Sequence, residues 1–452
     1  MNRIVYCLLL LITGNTFAQS PLTRAQAVSD IDYYVRTMKA SHYSPFAEIS
    51  EKEFDRRIGE IKNAIGDTIN IQEFLWKMYA VTALIGDAHA TPQLGQPAFR
   101  DDFQRPLFFP YRLLQDKKGV YVPRMMAIVH GLEPGEPIVS INGVKTGALR
   151  KELDTHLAGL PAFRREAGIR LFSYFLYLKG VRPPFTVTFR EKGSPRTVVQ
   201  QCVPLKAALA VSMPHITEPF VFEVRNGKVG YLDVRTLSAS SARFSAFLDS
   251  AFAAFRRANV HTLAVDLRNN SGGNTDLAEI LLSYITRKPY SWGLKSWKIS
   301  QPYKDALLAN GDTAAAYLRR ENGTTWNSND PLAPKLPSRH VDSLFNGKVF
   351  FITGPFTFSS AMALADVVKT GKLGTIVGEP TGERTMDYGE AFTIELPVSK
   401  IRIQSTSSLS HGANGTRARN MPVMPDVLIK PDVTDDRRGI DRAMAYILRQ
   451  AK

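Results

Sequence analysis

The stretch His261-Thr-Leu-Ala-Val-Asp-Leu-Arg-Asn-Asn-Ser-Gly-Gly-Asn274 decides how this chain is read. Its first seven residues have the length and apolar content of a buried strand, and the Asn/Gly cluster after them stops it. The pattern recurs at Lys348-Val-Phe-Phe-Ile-Thr353, which runs through Phe356-Thr-Phe-Ser-Ser-Ala361 into a helix over 360–370. Val229-Gly-Tyr-Leu-Asp-Val234 reads as a further strand, 242–258 as a helix, and Gly374-Thr-Ile-Val-Gly378 as a fourth strand. Alternating strands and helices predict an α/β fold on a mainly parallel sheet. In such sheets ligands sit at the carboxyl ends of the strands. The loops at 266–274 and 356–361 are therefore where chemistry is expected.

Outward from this core the chain changes character. Residues 216–452 are read as the α/β region, 105–215 as a smaller α+β region, and 19–104 as a helical region. Short strands are expected at 119–122, 138–141 and 184–189, with a helical insert over about 151–178. Apolar spacing predicts helices over 25–38, 54–65 and 71–84, the last ended by Gly86-Asp87. The stretch 292–339 is polar and proline-interrupted, and is expected to be an irregular insertion.

Residues 1–18, MNRIVYCLLLLITGNTFA, read as a signal peptide. Arg3 supplies the positive region, Val5 to Ile12 the apolar run, and Thr16-Phe17-Ala18 the small-residue cleavage site. That run is too short for a bilayer span, so an exported chain without a transmembrane anchor is expected, periplasmic or extracellular. A chain of 452 residues exceeds one hydrophobic core, which implies two or three domains. Of two cysteines only Cys202 outlasts cleavage, so no internal disulfide can form. The net charge of +15 is spread without a long basic run. Together with export, this argues for a generally solvated surface and against a nucleic-acid partner.

Three features carry candidate chemistry. Gly272 and Gly273 allow a tight turn with bare N–H groups, as an oxyanion hole requires. By itself the loop reads more readily as an ordinary Asn- and Gly-rich strand-to-helix turn. Ser359 lies at a strand-to-helix junction, where the N–H of Ser360 could help hold an oxyanion; on local sequence a plain helix N-cap also accounts for it. His89 follows Gly86-Asp87 and could serve as the base a serine needs, or simply complement a helix C-terminus.

Together these residues resemble the C-terminal processing (tail-specific) serine peptidase family, in its tricorn-core and retinoid-binding-protein-like branch. Ala83-Leu-Ile-Gly-Asp-Ala-His89-Ala-Thr resembles the family's Leu-x-x-Gly-Asp-Gly-His-Thr. Asp266-Leu-Arg-Asn-Asn-Ser-Gly-Gly273 resembles Asp-Leu-Arg-x-Asn-x-Gly-Gly. Thr357-Phe-Ser359-Ser-Ala resembles Thr-x-Ser-Ala-x-Glu, and Gly374 to Gly382 the strand and turn that follow. Asp30, Tyr33 and His42 to Pro45 are similar to the family's N-terminal region, and Gly135 to Gly143 to the second half of a PDZ domain. The resemblance implies a PDZ-like domain over 105–215 and a peptidase core of ClpP/crotonase-like type over 216–452. It implies Ser359 as nucleophile, His89 as base, and Gly272 or Gly273 with Ser360 as oxyanion donors. Substrates would be peptides or unfolded proteins, with no cofactor and no metal. Oligomeric state is not legible.

Several positions depart from the family pattern. The lysine of its serine–lysine members falls on Arg384, which stays protonated and cannot be a base. The family's glutamate after the serine is Met362, and the glutamate of its C-terminal motif is Arg419. Glu383 and Asp387 are the candidate substitutes for the supporting acid. The same departures motivate an alternative reading: a weakened or inactive member that binds a peptide or apolar ligand. An esterase-type Gly-x-Ser-x-Gly elbow is absent around Ser359, as is a His-Glu-x-x-His metal motif.

Overall fold

The structure, a computed structural model, describes residues 20–116, 119–129, 132–190, 195–313, 315–327, 334–337, 344–413 and 420–451. The expected signal peptide at 1–18 and Arg419 lie outside the described residues. Among the described residues no helix is long and apolar enough to cross a membrane.

The α/β core forms as expected. Six strands order as Val427–Leu428, Thr375–Gly378, Lys348–Thr353, Thr262–Asp266, Val229–Val234 and Phe220–Arg225. All neighbours are parallel except the last pair, in which Phe220–Arg225 runs antiparallel. Alternate residues bury on opposite faces. Leu232, Leu263, Val265, Phe351 and Ile376 face one core, with the helices Ser241–Arg257, Thr275–Ser283 and Ser360–Gly371 packed over it. Tyr231, Ala264, Phe350, Ile352 and Val377 face the other, closed by Ala443, Met444 and Ile447 of the C-terminal helix Arg442–Gln450. Burial on both faces is why these strands read as unbroken apolar runs.

The N-terminal helices are Arg24–Ser41, Glu51–Asn63 and Ile71–Ala83, capped by Thr23, Ser50 and Asn70. The third helix ends in a turn at Gly86, whose φ of +81° favours glycine. That turn delivers Asp87 and His89. The region 114–200 carries an antiparallel sheet with strands Leu114–Gln115, Val120–Tyr121, Pro137–Ile141, Phe185–Arg190 and Pro195–Gln200, and Val144–Lys145 pairs off it. Helices Thr146–His156, Pro161–Arg170 and Phe172–Leu178 form the expected insert. These helices, the sheet and the N-terminal helices share one continuous hydrophobic core.

Two parts of the fold differ from the sequence reading. The stretch 292–339 is not irregular throughout. Lys295–Lys298 and Thr325–Asn327 join Ser408–Ser410 and Asp387–Gly389 in a four-stranded antiparallel sheet, with helix Gln301–Ala309 between the first two. These strands are too short to show alternation. Their signal is the facing pair Trp297 and Trp326, stacked at 4.6 Å. The hairpin Phe392–Glu395/Arg402–Ser405 also escapes the sequence reading. It reaches back across the chain: Gln404 N–H donates to Thr91 O at 2.9 Å.

Buried Asp30 fixes that return. It accepts the backbone N–H groups of Val398 at 3.0 Å and Ser399 at 2.7 Å. Replacing it removes the acceptor of two amides, the half-buried Val398 and the buried Ser399, at roughly 1–3 kcal/mol for each group left unsatisfied. Asp30→Ala should therefore lower the urea midpoint by an amount worth about 2 kcal/mol or more, with the m-value unchanged. A shift below about 0.5 kcal/mol would show that the hairpin does not rely on this carboxylate.

Candidate active site

The two expected loops meet because they leave adjacent parallel strands, Thr262–Asp266 and Lys348–Thr353. Hydrogen bonds tie them together. Phe358 N–H donates to Asn270 O at 3.1 Å, the Thr357 hydroxyl to Leu267 O at 2.9 Å, and the Ser360 hydroxyl to Gly273 O at 2.7 Å. Buried Asn270 donates its amide to Val234 O at 2.9 Å and accepts Gly272 N–H at 2.8 Å. Glycine at 272 is a steric necessity: a Cβ there would lie 2.7 Å from the Cβ of Ser359.

Of the three expected oxyanion donors, Gly272 N–H is therefore engaged by Asn270. The N–H groups of Gly273 and Ser360 have no hydrogen-bond partner among the described residues. Ser360 adjoins Ser359 in the chain, and its hydroxyl bond to Gly273 O brings Gly273 to the same turn.

Ser359 occupies the N-cap position of Ser360–Gly371, yet its hydroxyl caps nothing. Ser50 and Ser240 show what capping looks like here: extended backbone and a hydroxyl accepting the N–H three residues on. Ser359 instead has φ +51° and ψ −128°. For a non-glycine residue this conformation costs on the order of 1–3 kcal/mol and persists only where its surroundings impose it. The backbone N–H of Ser359 donates to Glu383 Oε2 at 2.8 Å.

His89 is held from one side. Its backbone N–H donates to Asp87 Oδ1 at 2.8 Å, and its Nδ1 lies 3.3 Å from the same oxygen. Nδ1 is also 3.5 Å from Glu383 Oε1 and 3.6 Å from Asp387 Oδ1. Three carboxylates thus surround one ring nitrogen, which places the proton on Nδ1 and leaves Nε2 as the basic atom. Nε2 is buried and has no hydrogen-bond partner among the described residues, the Ser359 hydroxyl included. The ring packs on Phe358, centroids 4.6 Å apart. Glu383 touches both parts of the site, one oxygen on Ser359 and the other towards His89. One potential ligand atom from each of His89, Glu383 and Asp387 lies within 4.8 Å of the other two, a spacing that could also hold a metal ion.

Asp87 and His42 were not assigned roles by sequence reasoning. Buried Asp87 accepts from the Thr406 hydroxyl at 2.8 Å and from His42 Nε2 at 3.2 Å. His42 Nδ1 accepts Ser44 N–H at 3.2 Å, which fixes its own Nε2 as the donor. The signal was the two-residue spacing in Gly86-Asp-Ala-His89, which lets the aspartate accept the amide of the histidine it orients.

Charge in this pocket follows from burial and crowding. Burial works to raise the Asp87 carboxyl, but hydrogen bonds and charge from His42 and His89 hold it well below the usual range. Burial disfavours the His89 imidazolium, yet the charge of Asp387 and the hydrogen bond to Asp87 outweigh it and raise the ring's pKa. Burial raises Glu383 well above a normal carboxyl, and the neighbouring Asp387 adds to it through charge and a hydrogen bond. Asp387 is raised as well, again chiefly by burial. The pair shares a proton, because two carboxylates in contact cannot both ionise freely.

The helical insert covers the site. Phe163 stacks on Phe358 at 4.4 Å, and Gly159 N–H donates to Gly86 O at 3.2 Å. The Arg170 guanidinium lies over Phe356 at 4.3 Å and donates to Asn269 Oδ1 at 2.9 Å. The departures fall in ordinary structural roles. Met362 is buried in the helix core, and Arg384 pairs with Glu48 at 2.7 Å.

Removing the Asp387 charge should relax the His89 ring. In Asp387→Asn, the His89 pKa followed by NMR titration is expected to fall by about one unit or more relative to wild type. An unchanged or higher value would contradict the placement of Asp387 as the partner that raises it.

The profile of peptidase family S41 matches residues 228–428. No curated protein matches the chain by sequence. Among solved structures, mature CPAF is similar at 16% identity, over 94% of this chain and 96% of that one, with a TM-score of 0.62. Mature CPAF complexed with lactacystin gives the same identity and TM-score over 94% and 97%. A Parabacteroides merdae protein is similar at 13% identity over 95% and 96%, with a TM-score of 0.50. At such identities the structures speak for the fold, and the profile speaks for the family. Residues 228–428 thus match peptidase family S41, the serine-type peptidases to which the chain's ordered motifs pointed.

Proposed function

We propose that this chain is an exported endopeptidase in which Ser359 is the nucleophile and His89 the general base, acting on unfolded or C-terminal peptide segments. The observation that carries the reading is the Ser359 turn. Ser359 is held at φ +51°, the N–H groups of Ser360 and of Gly273, which the Ser360 hydroxyl binds, are uncommitted among the described residues, and Glu383 joins the Ser359 amide to the histidine.

In this reading Ser359 Oγ attacks the peptide carbonyl carbon while its proton passes to His89 Nε2. The oxyanion is received by Gly273 N–H and Ser360 N–H. His89 then gives the proton to the leaving amine as the C–N bond breaks, leaving an ester on Ser359. Water attacks that ester with His89 again as base, releasing the acid and restoring the hydroxyl. Asp387 and Asp87 stabilise the imidazolium formed in each half. Asp87 and Asp387 thereby take the supporting place left open by Arg419, and Glu383 ties the Ser359 amide to this group. The antiparallel sheet of 114–200 is taken as the PDZ-like module, whose open edges could receive a peptide strand. Export rests on residues 1–18.

The test is cleavage of casein by the chain lacking residues 1–18. Ser359→Ala and His89→Ala should each lose at least about 1,000-fold in kcat/KM. No cleavage by wild type, or equal rates in all three, would contradict the reading; saturable peptide binding without turnover would support the non-catalytic alternative. The pH profile carries a sign. The base must be neutral, and its pKa is raised, so the acidic limb of kcat/KM should be centred above 6.5, the ordinary imidazole value. A limb centred below that value would show that His89 is not the titrating base.

A further inference from the structure

We propose that the cavity beside the Ser359 turn is a binding subsite for a peptide carboxylate adjoining an apolar side chain, with Arg384 as the anchor for the carboxylate. This rests on reading Ser359 and His89 as the peptidase centre.

The cavity holds about 220 Å³. Its apolar wall comes from Ala47, Ala88, Leu160, Phe358, Met386 and Leu409. An apolar cavity of about 150 Å³ already admits a benzene ring, so this one has room for a leucine or phenylalanine side chain. Its polar side reaches Asp87, Glu383 and Asp387, the groups that hold His89. A side chain in the cavity would therefore sit directly beside the reacting centre.

The charge around the cavity is lopsided. Among the described residues Arg384 is the one cation that lines it, against four acidic side chains. An acidic side chain entering near Asp387 would meet like charge, so the occupant there is apolar. A carboxylate can be received only at the Arg384 end. At that end Arg384 already holds one: Glu48 Oε1 lies 2.7 Å from its Nη1. Both side chains are well exposed, 38% and 48%, and exposed pairs of this kind contribute little. The stem of Glu48 lies over Gly86, where an added Cβ would approach its Cγ to 2.7 Å. Glu48 thus spans the mouth of the cavity from the N-terminal region and occupies the guanidinium in the way a substrate carboxylate would. A peptide that also fills the apolar wall gains contacts Glu48 does not make, and exchanges with it. The guanidinium is permanently charged and shaped for two-pronged carboxylate binding, so its usefulness here does not depend on being a base.

The carboxylate could be the peptide's C-terminus or an Asp or Glu side chain. The experiment separates them. Three fluorescein-labelled peptides share one apolar sequence: one ends in a free carboxylate, one is amidated, and one is amidated with a single Glu two residues from a Leu. Binding is followed by anisotropy on Ser359→Ala, with and without Arg384→Gln or Glu48→Gln, and cleavage by mass spectrometry on wild type. At least one carboxylate peptide should bind about tenfold tighter than the neutral one, and which one identifies the source. Arg384→Gln should abolish that preference while leaving the neutral peptide's affinity within twofold. Glu48→Gln, which frees the guanidinium, should strengthen carboxylate binding a few-fold. A preference that survives Arg384→Gln, or none in its presence, overturns the subsite. Ser359-dependent cleavage with no such preference would leave the peptidase reading standing and sink the subsite. An Arg384-dependent preference without any cleavage would do the reverse.

Discussion

The site depends on one buried carboxylate. Asp87 receives hydrogen bonds from His42 on the N-terminal side, from Thr406 beyond the C-terminal hairpin, and from His89 two residues along. A carboxylate so buried is tolerable only with this many donors, so the three chain segments are obliged to converge on it. The convergence aims the His89 ring. It also explains why the hairpin near residue 400 must return to the first helix, where Asp30 holds its turn.

The second constraint is the parallel sheet. Adjacent strands end side by side, so the Gly272–Gly273 loop and the Ser359 turn are neighbours by topology rather than by local attraction. Their approach leaves no room for a Cβ at 272 and holds Ser359 in a conformation it would not choose. The strain is sustained by bonds on both sides: Asn270 from one strand end, Glu383 from the turn after the next strand. Glu383 is thus the hinge between framework and chemistry, since its other oxygen faces His89.

Much of this was legible in the residues. The core strands bury both faces and so advertise themselves as apolar runs. The order of Gly86-Asp-Ala-His89, the Gly-Gly loop and Ser359 pointed to a serine peptidase, and Glu383 and Asp387 were candidates before their distances to His89 were known. What was hidden has physical causes. The strands at 295–298 and 325–327 are too short to alternate, and their pairing is long-range. Whether Ser359 caps its helix depends on a backbone angle that tertiary contacts impose, so no local pattern could settle it. Asp87's partnership with His42 joins positions 45 residues apart, and Thr406 lies 319 residues away. That Gly272 N–H is engaged while Gly273 N–H stays uncommitted among the described residues follows from the side chain of Asn270, a detail of turn geometry.

The central claim is that the strained Ser359 hydroxyl is made nucleophilic by His89. It is tested most directly by treating the protein with a serine-directed fluorophosphonate and locating the adduct by peptide mass mapping. A single adduct on Ser359 is expected, absent in Ser359→Ala and formed at least about 100-fold more slowly in His89→Ala. An adduct on a different serine, no adduct at all, or labelling of Ser359 at an unchanged rate without His89 would contradict the account.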